Sequence, residues 1–221
     1  MQMMESFELI AYRISGWSVN IFTIFIAVLA VKSKLLTRDN KYLIIGIYFC
    51  FIAFMELIGS ITAVLLSNNL FLDYIYIPVS FALLSLYLSR QHTSKRILHI
   101  TVAVIFLFCF VQLFKAFDEK GYQKFNSIGA YIDTMIMLGY SLTNLSLLFL
   151  HRSASQKLRK NADFWFTITI FSSSFLDLII SILSDTSYAA GSDSVLYALF
   201  IFRNFFKTFL LIGFQKGIKL L

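Results

Sequence analysis

Seven apolar runs of about 18 to 25 residues fill this chain almost from end to end, with short polar connections between them. A helix of about 20 apolar residues crosses the roughly 30 Å hydrocarbon layer of a bilayer. The pattern predicts an all-α fold, a polytopic integral membrane protein whose single domain, residues 1–221, is a seven-transmembrane-helix bundle. The predicted spans cover residues 14–31, 42–66, 70–89, 97–114, 128–150, 164–184 and 195–214.

The composition agrees with a membrane protein. Hydrophobic residues make up 58% of the chain and charged residues only 14%, and the mean hydropathy is +0.77. Ordinary soluble domains carry about 25% charged residues. Cys50 and Cys109 both fall inside predicted spans, so we expect them to be packing residues and not a disulfide.

Lysine and arginine are divided unevenly between two sets of loops. The loops 1–2, 3–4 and 5–6 and the C-terminal tail hold 13 of them, against four in the N-terminal tail and the loop 4–5. Basic loops stay in the cytoplasm, which predicts that the N-terminus is outside and the C-terminus cytoplasmic. Residues 1–13, which contain Glu5 and Glu8, are then expected to form a short external tail.

The same loops account for the net charge of +7. In a bacterial inner (cytoplasmic) membrane they would lie against anionic inner-leaflet lipids, which attract basic segments next to a span. A nucleic-acid partner is not expected, because no basic face exists apart from these short loops. The expected partners are therefore the lipid bilayer and a cytoplasmic or membrane signalling protein.

Six ionisable side chains fall within or at the edge of the predicted spans. At a helical rise of about 1.5 Å per residue, they lie about 5 to 18 Å below the outer boundary of the hydrocarbon layer. A charge at this depth costs about 2.5–3.5 kcal/mol, so each should face the bundle interior and find a partner. The six are Glu56, Asp73, Asp133, Asp177, Arg203 and Lys207.

Arg203 and Lys207 are four residues apart and share one face of the last helix, where they repel each other unless carboxylates lie close. In one interpretation the charges line an outward-facing pocket that binds a small polar ligand. In the other they only fix how the helices dock. Intramembrane ionisable residues are functional by default, which favours the pocket. The predicted ligand-binding residues are Glu56, Asp133, Asp177, Arg203, Asn204 and Lys207.

The sequence carries no pattern for catalysis or for a cofactor. It has no glycine-rich phosphate loop, nucleophile elbow or redox Cys-x-x-Cys. The number and spacing of His92, His99 and His151 do not suit a metal site. Lys207 on the last span raises the possibility of a retinal protein, but Arg203 stands where microbial rhodopsins carry an acid. We therefore expect no enzyme activity, no cofactor and no metal.

Two segments resemble known proteins. Residues 158–165, Leu-Arg-Lys-Asn-Ala-Asp-Phe-Trp, lead from a basic loop into an aromatic helix start, and residues 204–219 form the ending. Both resemble uncharacterised bacterial seven-helix membrane proteins, which are similar to the sensory input modules of membrane histidine kinases. The chain departs from that pattern at Ala162, where proline is expected, and the apolar runs leave no room within residues 1–221 for an expected cytoplasmic output domain. The resemblance implies a sensory module that signals through a separate partner.

These observations favour a membrane sensory or signalling module that binds a small polar ligand in an intramembrane pocket. Two alternatives remain open. One is a small-solute or ion transporter that uses the same charges, and the other is a non-catalytic subunit of a membrane complex. Binding without flux is the result that separates a sensor from a transporter.

Overall fold

The described structure, a computed structural model, consists of helices. It covers residues 2–33, 39–66, 70–92, 94–116, 127–151, 158–189 and 193–221. Within these ranges there are seven α-helices, and a 3-10 turn at Leu70–Leu72 precedes the third. The helices are α1 Gln2–Lys32, α2 Asn40–Leu66, α3 Asp73–Ser89, α4 Lys95–Ala116, α5 Ser127–His151, α6 Ala162–Ala189 and α7 Asp193–Lys219.

Six of the helices, all except α3, are long and apolar enough to cross a membrane. The helix α3 is an apolar helix of 17 residues, somewhat shorter than the roughly 20 residues that a span needs. The 3-10 turn extends it to Leu70–Ser89, the range predicted for the third span. Pro78 lies inside α3 and is buried. The membrane-spanning architecture therefore holds for six helices by length and composition.

Both terminal helices are longer than the predicted spans. The helix α1 begins at Gln2, so the prediction of a tail over residues 1–13 is wrong for residues 2–13. That segment contains no glycine or proline, and its methionine, glutamate and leucine residues favour continuation of a helix. At the other end α7 continues to Lys219, through residues that the sequence analysis treated as a tail.

Six helices form a closed ring. In order around it, α1 packs on α2, α2 on α3, α3 on α5, α5 on α6, α6 on α7, and α7 on α1. The helix α4 packs on α3 from outside the ring. Its buried residues, Thr101, Phe108 and Gln112, are seven and four apart and so lie on one narrow face. Many of its large apolar side chains are exposed, among them Phe106, Leu107, Phe110 and Phe114.

The helices alternate in direction, which brings the predicted basic segments together at one end of the bundle. There α2 and α6 begin while α3 and α7 end, and Lys216 of α7 lies 4.1 Å from the ring centroid of Trp165 of α6. We name this the basic end. Its described basic residues are Lys32, Lys41, Arg90, Lys95, Arg96, Arg159, Lys160, Lys216 and Lys219. Four further basic residues were counted on the same side but lie outside the described residues: Lys34, Arg38, Arg152 and Lys157.

The helices α6 and α7 approach each other most closely near the basic end, and two glycines of α7 permit it. A Cβ atom at Gly217 would collide with the ring of Phe166, and one at Gly213 would collide with Thr169 Oγ1. Phe166 is completely buried. Because a buried ring in a packed core has little space to move into, a side chain at Gly217 is not accommodated.

The Gly217→Ala substitution should lower the free energy of unfolding by about 1–3 kcal/mol, the usual effect of overpacking a core. Gly139→Ala is the matched control, because no atom lies within 4 Å of a Cβ built at Gly139. There the better helix propensity of alanine should leave stability unchanged or raise it by up to about 1 kcal/mol. Unfolding in mixed detergent micelles measures both values. Equal stability of the two variants would contradict the close packing of α6 on α7.

Candidate functional site

The charges of α6 and α7 meet at a single carboxylate. Arg203 Nε donates to Asp177 Oδ1 over 2.7 Å, and Lys207 Nζ lies 3.5 Å from the same oxygen. The two basic residues are one helical turn apart, so one acid on the facing helix can reach both. The expectation that these opposite charges meet within the bundle is confirmed. We name Asp177, Arg203 and Lys207 the ionic cluster.

The ionic cluster faces the interior of the ring. On α7 the exposed side chains include Phe205, Phe206 and Phe209, which lie on a different face from the two basic residues. Arg203 is also within electrostatic range of Tyr76 and Asp73, which belong to α3 across the ring. The cluster is not sealed, since the side chains of Arg203, Lys207 and Asp177 remain 34%, 25% and 19% exposed.

The guanidinium group of Arg203 has donors to spare. Within the described residues its contact with Asp177 uses Nε. A guanidinium carries five N–H donors in a planar fork, and the two terminal nitrogens hold four of them. Together with the one-third exposure of the side chain, this leaves a set of donors that a ligand carrying hydrogen-bond acceptors could bind.

Glu56 of α2 has its own polar neighbours. The amide orientation of Asn20 that suits both neighbours lets its nitrogen donate to Glu56 Oε2 over 2.9 Å and its oxygen accept from Ser60 Oγ at 3.1 Å. Glu56 is within electrostatic range of Lys207 and Arg203. It therefore belongs to the same layer as the ionic cluster, while its hydrogen bond ties α2 to α1. Sequence reasoning missed Asn20, because one asparagine in an apolar helix gives no clear signal.

Asp133 of α5 and Asp73 of α3 complete the layer. Asp133 is within electrostatic range of Asp177 and Lys207, and Asp73 is within range of Arg203. Four carboxylates from four helices thus surround two basic side chains from one helix. This is the arrangement that the depth argument predicted, and whether these residues bind a ligand stays a prediction.

Two tyrosines that the sequence analysis did not single out lie in the same layer. Tyr76 is within electrostatic range of Glu56, Asp177, Arg203 and Asp133, and Tyr48 is within range of Asp133 and Asp177. A signal existed for Tyr76, which is three residues after Asp73 and so shares its helix face. Their hydroxyl groups add donors and acceptors to the layer.

Asn204 lies apart from the other predicted ligand-binding residues. Its Nδ2 atom donates to Ser15 Oγ of α1 over 3.1 Å, and Ser15 Oγ donates to the carbonyl oxygen of Tyr12. Asn204 directly follows Arg203, and consecutive residues on a helix point about 100° apart. Asn204 therefore faces the neighbouring helix α1, and its hydrogen bond with Ser15 holds α7 against α1.

A second ionic contact, at the basic end, was also missed. Lys41 Nζ of α2 donates to Asp163 Oδ2 of α6 over 2.7 Å, and the hydroxyl group of Tyr87 of α3 donates to Asp163 Oδ1 over 3.2 Å. Asn161 Oδ1 accepts from the backbone N–H of Asp163, which satisfies a donor in the first turn of α6. The sequence did offer a sign of this contact, because Asp163 is an acid placed shortly after the basic pair Arg159 and Lys160.

Comparisons of the chain with protein-family models, with curated proteins and with solved structures gave no match. The resemblance to sensory input modules therefore stays a prediction. The functional argument rests on the geometry of the ionic cluster and its surroundings.

The described residues contain no group of three or more histidine, cysteine, aspartate or glutamate side chains placed to hold a metal ion. His99 is exposed, and the side chain of His151 lies outside the described part of the chain. Outside the spans, partial burial lowers the pKa of His92 and so favours its neutral form. At the ionic cluster, the charged side chains offer a ligand hydrogen bonding and charge pairing.

Proposed function

We propose that this protein is a multi-pass sensory or signalling module of a bacterial inner membrane that binds a small polar ligand at the ionic cluster. The observation that carries the proposal is Asp177, which pairs with Arg203 and Lys207 at 2.7 and 3.5 Å while all three side chains stay partly exposed. An ion pair that is purely structural needs its remaining donors and acceptors satisfied by the protein, because only full hydrogen bonding offsets the cost of desolvating both charges. Partial exposure with unused donors on Arg203 suits a binding site better.

The proposed topology has seven crossings, with the N-terminus outside and the basic end in the cytoplasm. The helix α3 is the seventh crossing in this proposal, lengthened by its 3-10 turn to Leu70–Ser89. The positive-inside rule supports the orientation. The exposed Lys95, Arg96 and Lys219 would then meet anionic inner-leaflet lipids or a cytoplasmic signalling partner.

A small-solute or ion transporter is the second candidate. The observation that favours it is α3, a short helix of 17 residues that begins in a 3-10 turn, carries Asp73 in its first turn and contains Pro78. Short or interrupted helices that carry polar groups form the substrate sites of many transporters. The same ionic cluster would serve both functions.

The ligand-binding test compares Arg203→Gln with the wild-type protein in lipid nanodiscs, using a library of small carboxylates, amines and amino acids. Wild-type protein should show saturable binding to one class, and Arg203→Gln should weaken it at least about tenfold, since a hydrogen bond to a charged group contributes about 1.5–3 kcal/mol. Arg90→Gln is the matched control, because Arg90 is exposed at the basic end. Unchanged affinity in a folded Arg203→Gln variant would refute the proposed site.

Proteoliposomes then separate the two candidates. A sensor binds the ligand without moving it, so radiolabelled ligand should not accumulate in vesicles beyond the amount bound. Accumulation that is lost in Arg203→Gln and kept in Arg90→Gln would establish the transporter instead.

A further inference from the structure

The contact between Lys41 and Asp163 joins two helices that are not neighbours in the ring. The helix α2 packs on α1 and α3, whereas α6 packs on α5 and α7. The 2.7 Å contact therefore crosses the interior of the ring at the basic end. Tyr87 of α3 donates to the same carboxylate, and Gln91 Nε2, two residues after the end of α3, donates to Thr167 Oγ1 of α6 over 3.1 Å. Three helices are thus tied together across the opening.

Aromatic rings fill the space directly behind this contact. Tyr87 and Phe166 meet edge to face at a centroid distance of 5.9 Å, and Phe166 lies 6.2 Å from Phe214. Phe49 of α2 packs edge to face on Phe214 at 5.0 Å. All four rings are buried. They come from α2, α3, α6 and α7, so together they close the ring interior.

Buried aromatic rings lie between the two ionic contacts. Asp163 and Asp177 lie on the same helix, 14 residues or about 21 Å apart. The charged side chains at both levels stay partly exposed, whereas the rings of Phe49, Phe166 and Phe214 behind Asp163 are buried. The ionic cluster is thus closed off from the basic end.

We infer that Lys41, Asp163 and Tyr87, together with the aromatic layer of Phe49, Phe166 and Phe214, form a gate at the basic end. The gate opens when the contact between Lys41 and Asp163 breaks and α2 and α3 separate from α6. This inference extends the proposed function, because the gate decides from which side the ligand site is reached. The contact suits a gate, since its side chains are 25% and 15% exposed and water can solvate both charges when they part.

The test measures how fast a cysteine behind the gate reacts with a membrane-impermeant thiol reagent added on the side that the basic end faces. The chain has two cysteines, so Cys50→Ser with Cys109→Ser gives a thiol-free background. The reporter is Ile170→Cys, one helical turn from Phe166 toward Asp177 and 2% exposed. This reporter should react slowly in the otherwise unchanged protein.

Adding Lys41→Gln should raise the labelling rate about tenfold, the equilibrium effect of losing one hydrogen bond between charged groups. Lys160→Gln is the matched control, an exposed lysine of the same end, and should leave the rate unchanged. Tyr87→Phe removes one hydroxyl group, keeps the buried ring, and should give a smaller increase. If Lys41→Gln does not fold, the labelling rate of Tyr87→Phe alone decides whether the gate exists.

Unchanged labelling in folded Lys41→Gln and Tyr87→Phe would overturn the gate, as would an equal increase in Lys160→Gln. The labelling assay needs no ligand, so its result can refute the gate without deciding whether the protein binds a ligand. Fast labelling in Lys41→Gln with no ligand binding in the wild-type protein would refute the binding site alone. Normal binding with unchanged labelling would refute the gate alone.

Discussion

Asp177→Asn should lower the free energy of unfolding by about 2–3 kcal/mol, because the partly exposed ion pair lies between an exposed pair, worth up to about 1 kcal/mol, and a buried pair, whose disruption costs about 3–5 kcal/mol. Asparagine keeps the size of the side chain and one oxygen but removes the charge that Arg203 and Lys207 share. The two basic groups, one turn apart on α7, then repel each other without a contacting acid. Unfolding in mixed detergent micelles measures the loss.

Asp39→Asn is the control for this change. Asp39 is exposed just before α2, and asparagine and aspartate are similarly good at helix starts, so stability should stay within about 0.5 kcal/mol. Combining Asp177→Asn with Arg203→Met and Lys207→Met should recover most of the lost stability, because no unpaired charge remains. A triple variant as unstable as Asp177→Asn would show that the carboxylate acts through packing and not through its charge.

Phe166→Ala should also cost about 3–5 kcal/mol, the usual effect of removing a buried phenylalanine. Phe166 is 0% exposed and touches rings from α3 and α7, so its loss leaves a cavity that those helices cannot easily close. The same substitution should accelerate labelling of Ile170→Cys from the basic end. Both effects come from the hole in the aromatic layer.

Phe106→Ala provides the comparison, because Phe106 lies on α4 and is 74% exposed. Phenylalanine facing lipid loses little on truncation, so the change in unfolding free energy should stay below about 1 kcal/mol. Similar losses in the two variants would contradict the distinction between the ring interior and the lipid-facing surface of α4.

The predicted spans are close to the helices because a bilayer restricts a chain to long apolar helices. Depth arithmetic then placed Asp177 and Arg203 at nearly one level, with Lys207 about one helical turn deeper, and the structure brings both basic residues into contact with Asp177. The helix α1 is longer than the predicted span because hydropathy locates an apolar run and not the ends of the helix that contains it. Residues 2–13 include Glu5, Glu8 and Arg13, which interrupt the apolar run without ending the helix.

Contacts between helices distant in sequence were not predictable from one chain. Lys41 and Asp163 are separated by 122 residues, and each lies where a topological role already explained its charge. The contact of Asn204 with Ser15 was not foreseen, because the sequence shows that two residues are adjacent on a helix but not which helix each one faces. The order of helices around the ring decides both cases, and hydropathy carries no information about that order.

The helix α6 carries Asp163 near its start and Asp177 about four turns later. No glycine or proline occurs between them, and such a helix resists bending. The helix is held by one charge near its start and by another near its middle. Tilting α6 to relieve the contact at one aspartate would therefore also move the other, which couples the ionic cluster mechanically to the basic end.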